Sequence, residues 1–290
     1  MKILVTGAYG QLGSELKELV EKYPVWTFLF TDVDTLDITN ENAVQNYFQE
    51  NQPAFVVNCA AYTAVDKAES DRELAQKINA VAPGILAKAA KNTGSKIIHI
   101  STDYVFNGQA FQPYTEYDLV EPTGVYGETK LEGEQQCLNE NPDSIIIRTS
   151  WLYSSYGNNF VKTMIRLGTE RDSINVIFDQ VGTPTYAGNL ADTILSILEI
   201  SEKVPEKFVP GIYHFSNEGV ASWYDFAKAI FEIAEIACTV NPILTKDYPT
   251  PAKRPHFSVL NKSKIKDTFD IKIPYWRDSL HLCIKKLLTK

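Results

Sequence analysis

Tyr126 and Lys130 stand four positions apart in the segment Tyr126-Gly-Glu-Thr-Lys130. Residues with this spacing share one face of a helix, so the phenol and the ammonium are expected to point into the same site. A phenol with its ordinary pKa of about 10 is a poor acid–base group at neutral pH, and a neighbouring ammonium favours the ionised form. The spacing therefore predicts a proton-transferring tyrosine whose pKa is lowered by Lys130.

Hydroxyl side chains close the apolar run that precedes this pair, in Ile100-Ser101-Thr102-Asp103. Ligands of open parallel sheets bind beyond the carboxyl ends of the strands, which is where Thr102 would lie. Its hydroxyl is then placed to polarise a substrate carbonyl oxygen, and Asn79 is a candidate anchor for a water that links Lys130 to solvent. Because a Tyr–Lys pair also occurs by chance, the assignment depends on its order behind a glycine turn and a strand-end threonine. Thr102, Tyr126 and Lys130 are the predicted catalytic residues.

A glycine-rich turn, Gly7-Ala8-Tyr9-Gly10-Gln11-Leu12-Gly13, follows the first apolar run directly and leads into a helical pattern of leucines. Such glycines permit a tight reversal, let backbone N–H groups approach a pyrophosphate, and allow close packing of helix on strand. The new helix presents unpaired N–H groups and the positive end of its dipole to the phosphates. The turn predicts a dinucleotide-binding site.

Two further segments complete the predicted cofactor site. Asp32 follows the second apolar run, about 20 residues beyond the glycines, where a carboxylate accepts hydrogen bonds from the adenosine ribose and usually favours NAD. Residues 60–63 follow the third run and would line the cofactor. The cofactor is predicted to be a dinucleotide. The contacts predicted from the residues themselves are Gly7, Gly10, Gly13, Asp32, Asp37, Ile38, Ala60, Ala61, Tyr62, Thr63 and Lys130.

Strands and helices must alternate to position these residues. Short apolar runs predict buried parallel strands, and the segments between them predict helices. The strands are predicted at 3–5, 28–30, 55–57, 97–100 and 145–147, and the helices at 11–22, 40–50, 71–92 and 129–140. This alternation predicts an α/β fold with a Rossmann-like, doubly wound parallel sheet.

The regular alternation ends after residue 147. A helix at 188–201, a strand at 211–215, a helix at 222–236, a proline-rich loop and a last helix at 276–288 follow. We expect residues 1–150 to form the dinucleotide-binding domain and residues 151–290 to form mainly a smaller, C-terminal substrate-binding lobe. The 188–201 helix is open to packing on the first domain.

Composition excludes several classes of protein. The net charge of −8 argues against nucleic acid as a partner, since phosphate binding needs a basic surface. No apolar run approaches the roughly 20 residues that span a bilayer, and the first strand leaves no room for a signal peptide. The four cysteines are scattered without metal-ligand spacing, which indicates free thiols. We expect a cytoplasmic protein.

The order of glycine turn, strand-end threonine and Tyr–Lys pair resembles the extended short-chain dehydrogenase/reductase superfamily. Several segments resemble its dTDP-4-dehydrorhamnose reductase family more closely. These segments are 60–69 (AAYTAVDKAE), 101–106 (STDYVF), 148–151 (RTSW), 157–160 (GNNF) and 248–255 (YPTPAKRP). The resemblance implies reduction of the C4 ketone of a dTDP-4-keto-sugar to the L-rhamnose nucleotide, with NADPH or NADH as the cofactor. It also implies cofactor contacts at Gln11, Leu12 and Tyr126.

Substrate contacts follow in part from this resemblance. It implies that Asp103 and Trp151 meet the sugar, and it adds Thr102 and Asn159 to the predicted substrate site. Arg254 lies in a proline-stiffened loop, and its guanidinium fork matches the oxygens of the substrate diphosphate.

The resemblance also raises the question of a metal. Some family members bind Mg²⁺ through glutamates at a dimer interface, and Glu15 matches one of these. Gly188 stands where the second aligns, and the tail 285–290 supplies no acid for the third. The sequence therefore predicts no metal, and the protein is expected to be a monomer or a homodimer.

Two alternative functions remain open. The first is another nucleotide-sugar enzyme of the superfamily, an epimerase or a dehydratase, although Thr102-Asp103-Tyr104 lacks the acid pair expected of a dehydratase. The second is a non-catalytic binding protein similar to the regulatory subunit of methionine adenosyltransferase. The intact set of Thr102, Tyr126 and Lys130 favours an enzyme.

Overall fold

A six-stranded parallel sheet, in the order β10-β5-β4-β3-β1-β2, lies at the centre of the computed structural model, which describes residues 1–289. The strands are β1 Lys2–Thr6, β2 Thr27–Thr31, β3 Phe55–Asn58, β4 Lys96–Thr102, β5 Ile145–Thr149, β6 Leu152–Tyr153, β7 Ser173–Ile177, β8 Val181–Gly182, β9 Thr185–Tyr186, β10 Gly211–Phe215, β11 Ala221–Ser222 and β12 Thr239–Ile243. The helices are α1 Gln11–Glu18, α2 Glu41–Asn51, α3 Val65–Ala68, α4 Arg72–Gln76, α5 Ala82–Thr93, α6 Val125–Glu140, α7 Phe160–Glu170, α8 Ala187–Lys203, α9 Trp223–Ile233, α10 Ser263–Phe269 and α11 Trp276–Leu288.

Helices cover both faces of the sheet, which confirms the predicted doubly wound α/β fold. Successive side chains of a strand point to opposite faces. In β1, Ile3 and Val5 accordingly pack with α1 and α8, whereas Leu4 packs with α2 and α5. Burial on both faces explains why these strands are continuous apolar runs.

A second apolar core lies wholly in the chain after residue 150. It contains Tyr153, the inner faces of α7, α9 and α11, and residues of β7 and β12. Helix α9 begins with a capping box in which Ser222 and Asp225 satisfy each other's backbone N–H groups. This second core supports the expected smaller lobe.

The division at residue 150 needs one correction. The predicted strand at 211–215 becomes β10, which pairs in parallel with β5 and so belongs to the central sheet. Its Tyr213 and Phe215 are buried in the first apolar core, the one that α1 and α8 form with one face of the central sheet. Leu190 and Ile194 of α8 are buried in the same core. Burial of these side chains against the sheet outweighs their position late in the chain, and α8 packs on the first domain.

Two helix boundaries differ from the sequence prediction. The segment predicted as one helix at 71–92 contains a π-helical turn, Lys77–Val81, between α4 and α5. Helix α6 begins at Val125 rather than at 129, because the Glu69 carboxylate accepts a hydrogen bond of 3.0 Å from the backbone N–H of Val125. Tyr126 therefore lies in the first turn of α6. Within residues 1–289, no helix combines the length and the apolar character needed to cross a membrane.

Candidate active site

The carboxyl ends of β4 and β5 carry the candidate site. Thr102 is the last residue of β4, is buried, and lies level with Thr149 of β5. Its hydroxyl donates to Asp103 Oδ1 at 3.0 Å and also hydrogen-bonds the phenol of Tyr126. The ammonium of Lys130 donates to the carbonyl of Ile100 at 2.6 Å, two residues before Thr102. The structure thus brings the three predicted catalytic residues together.

The tyrosine is protonated at neutral pH. Burial raises the pKa of Tyr126 to about 12, the hydrogen bond with Thr102 opposes the rise, and the nearby Asp103 adds to it. The expectation that Lys130 lowers this pKa below its ordinary value is wrong for this structure, because desolvation of the phenolate dominates. A protonated phenol suits the donation of a proton to a carbonyl oxygen.

Lys130 lies almost completely out of solvent, with 1% of its surface exposed. Burial lowers its pKa to about 8, and the Glu134 carboxylate one turn later opposes the shift. The lysine is therefore mostly protonated at neutral pH, but its pKa lies so close to neutral that a further decrease would remove much of its charge.

The π-helical turn places Asn79 beside this pair. Its amide oxygen accepts from the backbone N–H of Tyr62 at 2.8 Å, and its amide nitrogen donates to the carbonyl of Tyr62 and to Thr129 Oγ1. A Cβ at Gly133 would stand only 1.9 Å from the Asn79 carbonyl oxygen, so α6 approaches the turn through a glycine. Asn79 thereby fixes the loop after β3 against α6, and its link to a water stays a prediction.

The glycine-rich turn meets the loop after β3. Gly7 has a φ of +66°, and a Cβ there would lie 2.7 Å from the backbone of Ala60. A Cβ at Gly13 would lie 2.4 Å from the carbonyl oxygen of Gly7, so both positions require glycine. Gly10 is the N-cap of α1, and no described side chain caps that N-terminus. The residues fit a pyrophosphate bound to free backbone N–H groups.

Two acidic residues near the turn differ in their surroundings. Asp32 Oδ2 accepts from the backbone N–H of Tyr9 at 3.0 Å, which ties the end of β2 to the glycine turn. The Asp37 carboxylate instead accepts from the backbone and the hydroxyl of Thr39 in a local turn, followed by α2. Ile38, which lies between Asp37 and Thr39, is buried. The structure thus brings Asp32, rather than the Asp37 carboxylate, to the turn.

Two predicted sugar contacts lie at the sheet edge. Asp103 is 2% exposed, and burial raises the pKa of its carboxyl to about 7 against the opposing hydrogen bond from Thr102. Trp151 has a φ of +48°, a conformation that non-glycine residues rarely adopt. Its ring stacks on Trp223 of the second lobe at 3.5 Å. Such strained backbone is frequent at functional sites.

Arg254 and Asn159 are engaged by protein groups. Arg254 donates to Asp66 Oδ2 at 2.8 Å, which ties the proline-rich loop to α3. Asn159 caps α7 and donates to Gln11 Oε1 at 3.0 Å, so it lies beside the glycine turn. Whether either residue contacts a substrate stays a prediction.

Sequence reasoning missed three residues that interact with the predicted ones. Asp66 pairs with Arg254, the ring of Tyr104 meets that of Tyr126 edge-on at 5.4 Å, and Glu134 follows Lys130 by one helical turn. The spacing of Glu134 was an available signal. No spacing in the sequence shows the partners of Asp66 and Tyr104.

The residues that the family resemblance suggested for a metal do not fit one. The Lys286 ammonium bonds Glu15 Oε2 at 2.9 Å and also contacts Glu18. Hydroxyls of Ser154 and Tyr186 bond the same Glu15 carboxylate. An ammonium and two hydroxyls thus occupy the oxygens that a cation would need. No group of three or more His, Cys, Asp or Glu in the described chain is arranged to hold a metal ion.

Comparison with known proteins identifies the family of the chain. The family model described as RmlD substrate binding domain matches residues 1–289. The dTDP-4-dehydrorhamnose reductase of Aggregatibacter actinomycetemcomitans is 44% identical over 96% of this chain and 97% of its own. A crystal structure of such a reductase from Clostridium acetobutylicum has a TM-score of 0.93 at 47% identity, covering 99% of this chain and 100% of that one. Another, from Bacillus anthracis in complex with NADP, has a TM-score of 0.91 at 40% identity and covers 98% and 99%.

Proposed function

The chain belongs to the RmlD substrate-binding-domain family, and from this premise we propose that it reduces the C4 ketone of dTDP-4-dehydro-L-rhamnose to dTDP-L-rhamnose with NAD(P)H. The meeting of Thr102, Tyr126 and Lys130 at one sheet edge carries the proposal. Full-length relatives at about 40% identity bear the name of this reductase. A relative crystallised with NADP supports the choice of cofactor.

The roles of the three residues follow from their chemistry. Bound NAD(P)H supplies the hydride that reduces the carbonyl carbon. Thr102 donates a hydrogen bond to the carbonyl oxygen, and the protonated phenol of Tyr126 delivers a proton to it as negative charge develops. Lys130 contributes the positive charge that stabilises the phenolate left by this transfer and binds the cofactor ribose.

Substrate binding is assigned to the carboxyl edge of the sheet, where Trp151 stacks on Trp223 of the second lobe. In this proposal Asp103, which follows Thr102 at the end of β4, and the strained Trp151, which follows the end of the neighbouring β5, face the sugar. Arg254 binds the diphosphate, with Asp66 holding its guanidinium in place beforehand. Residues 1–150 with β10 and α8 form the cofactor domain, and the remaining C-terminal residues form the substrate lobe.

The proposal also covers the cellular compartment of the protein and its oligomeric state. All four cysteines are free thiols, which supports a reducing compartment and hence the cytoplasm. Lys286 pairs with Glu15, the one glutamate that the resemblance suggested for a metal, so the proposed state is a monomer or a homodimer without a metal at its interface.

Product identification tests the function. The protein is incubated with NADPH and a dTDP-4-keto-6-deoxy sugar treated with the upstream epimerase, and the nucleotide sugar is identified by NMR. We expect stoichiometric oxidation of NADPH and a rhamnose product. An altered sugar formed without net NADPH oxidation would indicate an epimerase. Binding of NADPH with no reaction would favour the non-catalytic alternative.

A further inference from the structure

A buried charged network lies directly beneath the catalytic pair. The Glu134 carboxylate accepts from Arg148 Nε at 2.9 Å and from Arg148 Nη2 at 2.7 Å. It also accepts from the Ser101 hydroxyl at 2.5 Å. Glu134, Arg148 and Ser101 are 1%, 2% and 3% exposed. The network joins α6, β5 and β4 immediately behind Thr102.

Stability alone gives little reason for such a network. A buried ion pair loses hydration that its mutual attraction repays only in part, and apolar residues of similar volume often stabilise a fold at least as well. The hydrogen bonding within the network is also incomplete, because Arg148 Nη1 has no described hydrogen-bond partner. The guanidinium lies over the ring of Phe106 at 5.2 Å. A role in the chemistry of the site would explain why charges are buried here.

Glu134 provides negative charge where Lys130 needs it. The titratable groups that interact electrostatically with Lys130 are Glu134 and Cys137 on α6, Cys59 after β3 and His99 on β4. Tyr126 lies one helical turn before the lysine on α6, and Arg148 on β5 pairs with Glu134. Burial raises the pKa of Cys59, that of Cys137 to about 12 and that of Tyr126 to about 12, so all three are neutral at pH 7. Burial lowers the pKa of His99, which is neutral as well.

The Glu134 carboxylate, held by Arg148, is therefore the anion among these groups. We propose that Glu134 is a positioning residue whose buried carboxylate, one turn after Lys130 on α6, keeps the lysine charged. Arg148 and Ser101 hold the carboxylate in place, one helical turn from the lysine. This inference rests on the proposed reduction, in which the charged lysine binds the cofactor and stabilises the phenolate.

The dependence of NADPH affinity on pH tests the inference without any sugar substrate. Wild-type affinity, measured by NADPH fluorescence, should fall as the pH rises through about 8, where Lys130 loses its proton. Glu134→Gln should move this fall to lower pH by about one unit, because removing a nearby opposite charge lowers a lysine pKa. Glu134→Asp keeps the charge and should leave the fall near its wild-type pH even if the protein melts earlier.

Glu128→Gln is the matched control. It removes the same charge from the same helix, at an exposed residue paired with Arg72, and should leave the pH dependence unchanged. An unshifted fall in Glu134→Gln, with affinity reduced by the same factor at every pH, would overturn the inference. So would an equal shift in Glu128→Gln.

A second variant covers the case in which Glu134→Gln does not fold. The double variant Glu134→Gln with Arg148→Met replaces the buried pair by neutral side chains, a change that folds often tolerate. The fall in affinity should still move to lower pH, because the Glu134 carboxylate, and not the Arg148 guanidinium, is among the charges that shift the pKa of Lys130. A wild-type profile would contradict the inference. Absence of sugar reduction by the wild-type protein would instead count against the proposed function, since NADPH binding is measured separately.

Discussion

At the scale of single residues, Tyr126 carries the proton transfer. Tyr126→Phe deletes the donor and little volume, so kcat should fall by about 10²–10⁴-fold, the usual contribution of a general acid. The dissociation constant of NADPH should change little. Tyr213→Phe, which removes a hydroxyl bonded to the Val209 carbonyl outside the site, is the control and should keep wild-type kcat. A Tyr126→Phe variant within a few-fold of wild-type kcat would remove the residue from the acid role.

Asp103 shows a conflict between function and stability. Its pKa of about 7 in the fold lies above the roughly 3.9 of an unfolded chain. The charged carboxylate thus costs stability, and this cost grows as the pH rises from about 4 and is complete above 7. Asp103→Asn should therefore melt at least about 2 °C higher than wild type at pH 8, with no such gain at pH 4, while kcat/KM falls. Equal changes in Tm at both pH values would show that the carboxyl is not destabilised by burial.

At the scale of elements, the glycine turn and α1 form one rigid anion site. A methyl group at Gly13 would collide with the Gly7 carbonyl, so Gly13→Ala should weaken NADPH binding by more than tenfold, about 1.4 kcal/mol. Gly94 ends α5 with a φ of +72° in open space. Gly94→Ala should cost about 1 kcal/mol of folding free energy and leave NADPH affinity unchanged. Titration of NADPH fluorescence distinguishes the two, and equal affinities would place the cofactor elsewhere.

How much the sequence revealed also depends on the element. Strands β1 and β3 were evident because burial on both faces produces unbroken apolar runs, and the glycine turn was evident because its spacing is dictated by phosphate geometry. The start of α6 was missed because its first N–H bonds the distant Glu69 carboxylate. The ion pair of Arg254 could not be predicted from the sequence either, since its partner Asp66 lies 188 residues away.

At the scale of the whole molecule, Lys286 joins the C-terminal helix to α1. Glu15 is only 3% exposed, so Lys286→Met would leave its carboxylate without a counter-charge. We expect a loss of about 3 kcal/mol in unfolding free energy, measured by urea denaturation. Lys285→Met, at the exposed neighbouring position, should stay within about 0.5 kcal/mol of wild type.

The same arrangement predicts that the enzyme needs no divalent cation. EDTA should leave kcat and the urea midpoint unchanged, because the Lys286 ammonium already compensates Glu15 and Glu18. Loss of activity that Mg²⁺ restores would show that other residues bind a metal.

The central claim is that the protein delivers a hydride to C4 of a nucleotide-linked keto-sugar. Turnover with NADPH deuterated at both C4 positions of the nicotinamide, followed by NMR of the product, tests it most directly. The account predicts one deuterium at C4 of dTDP-L-rhamnose for each NADPH oxidised, and none from solvent at that carbon. A C4 hydrogen derived from solvent, or a converted sugar free of deuterium, would contradict it.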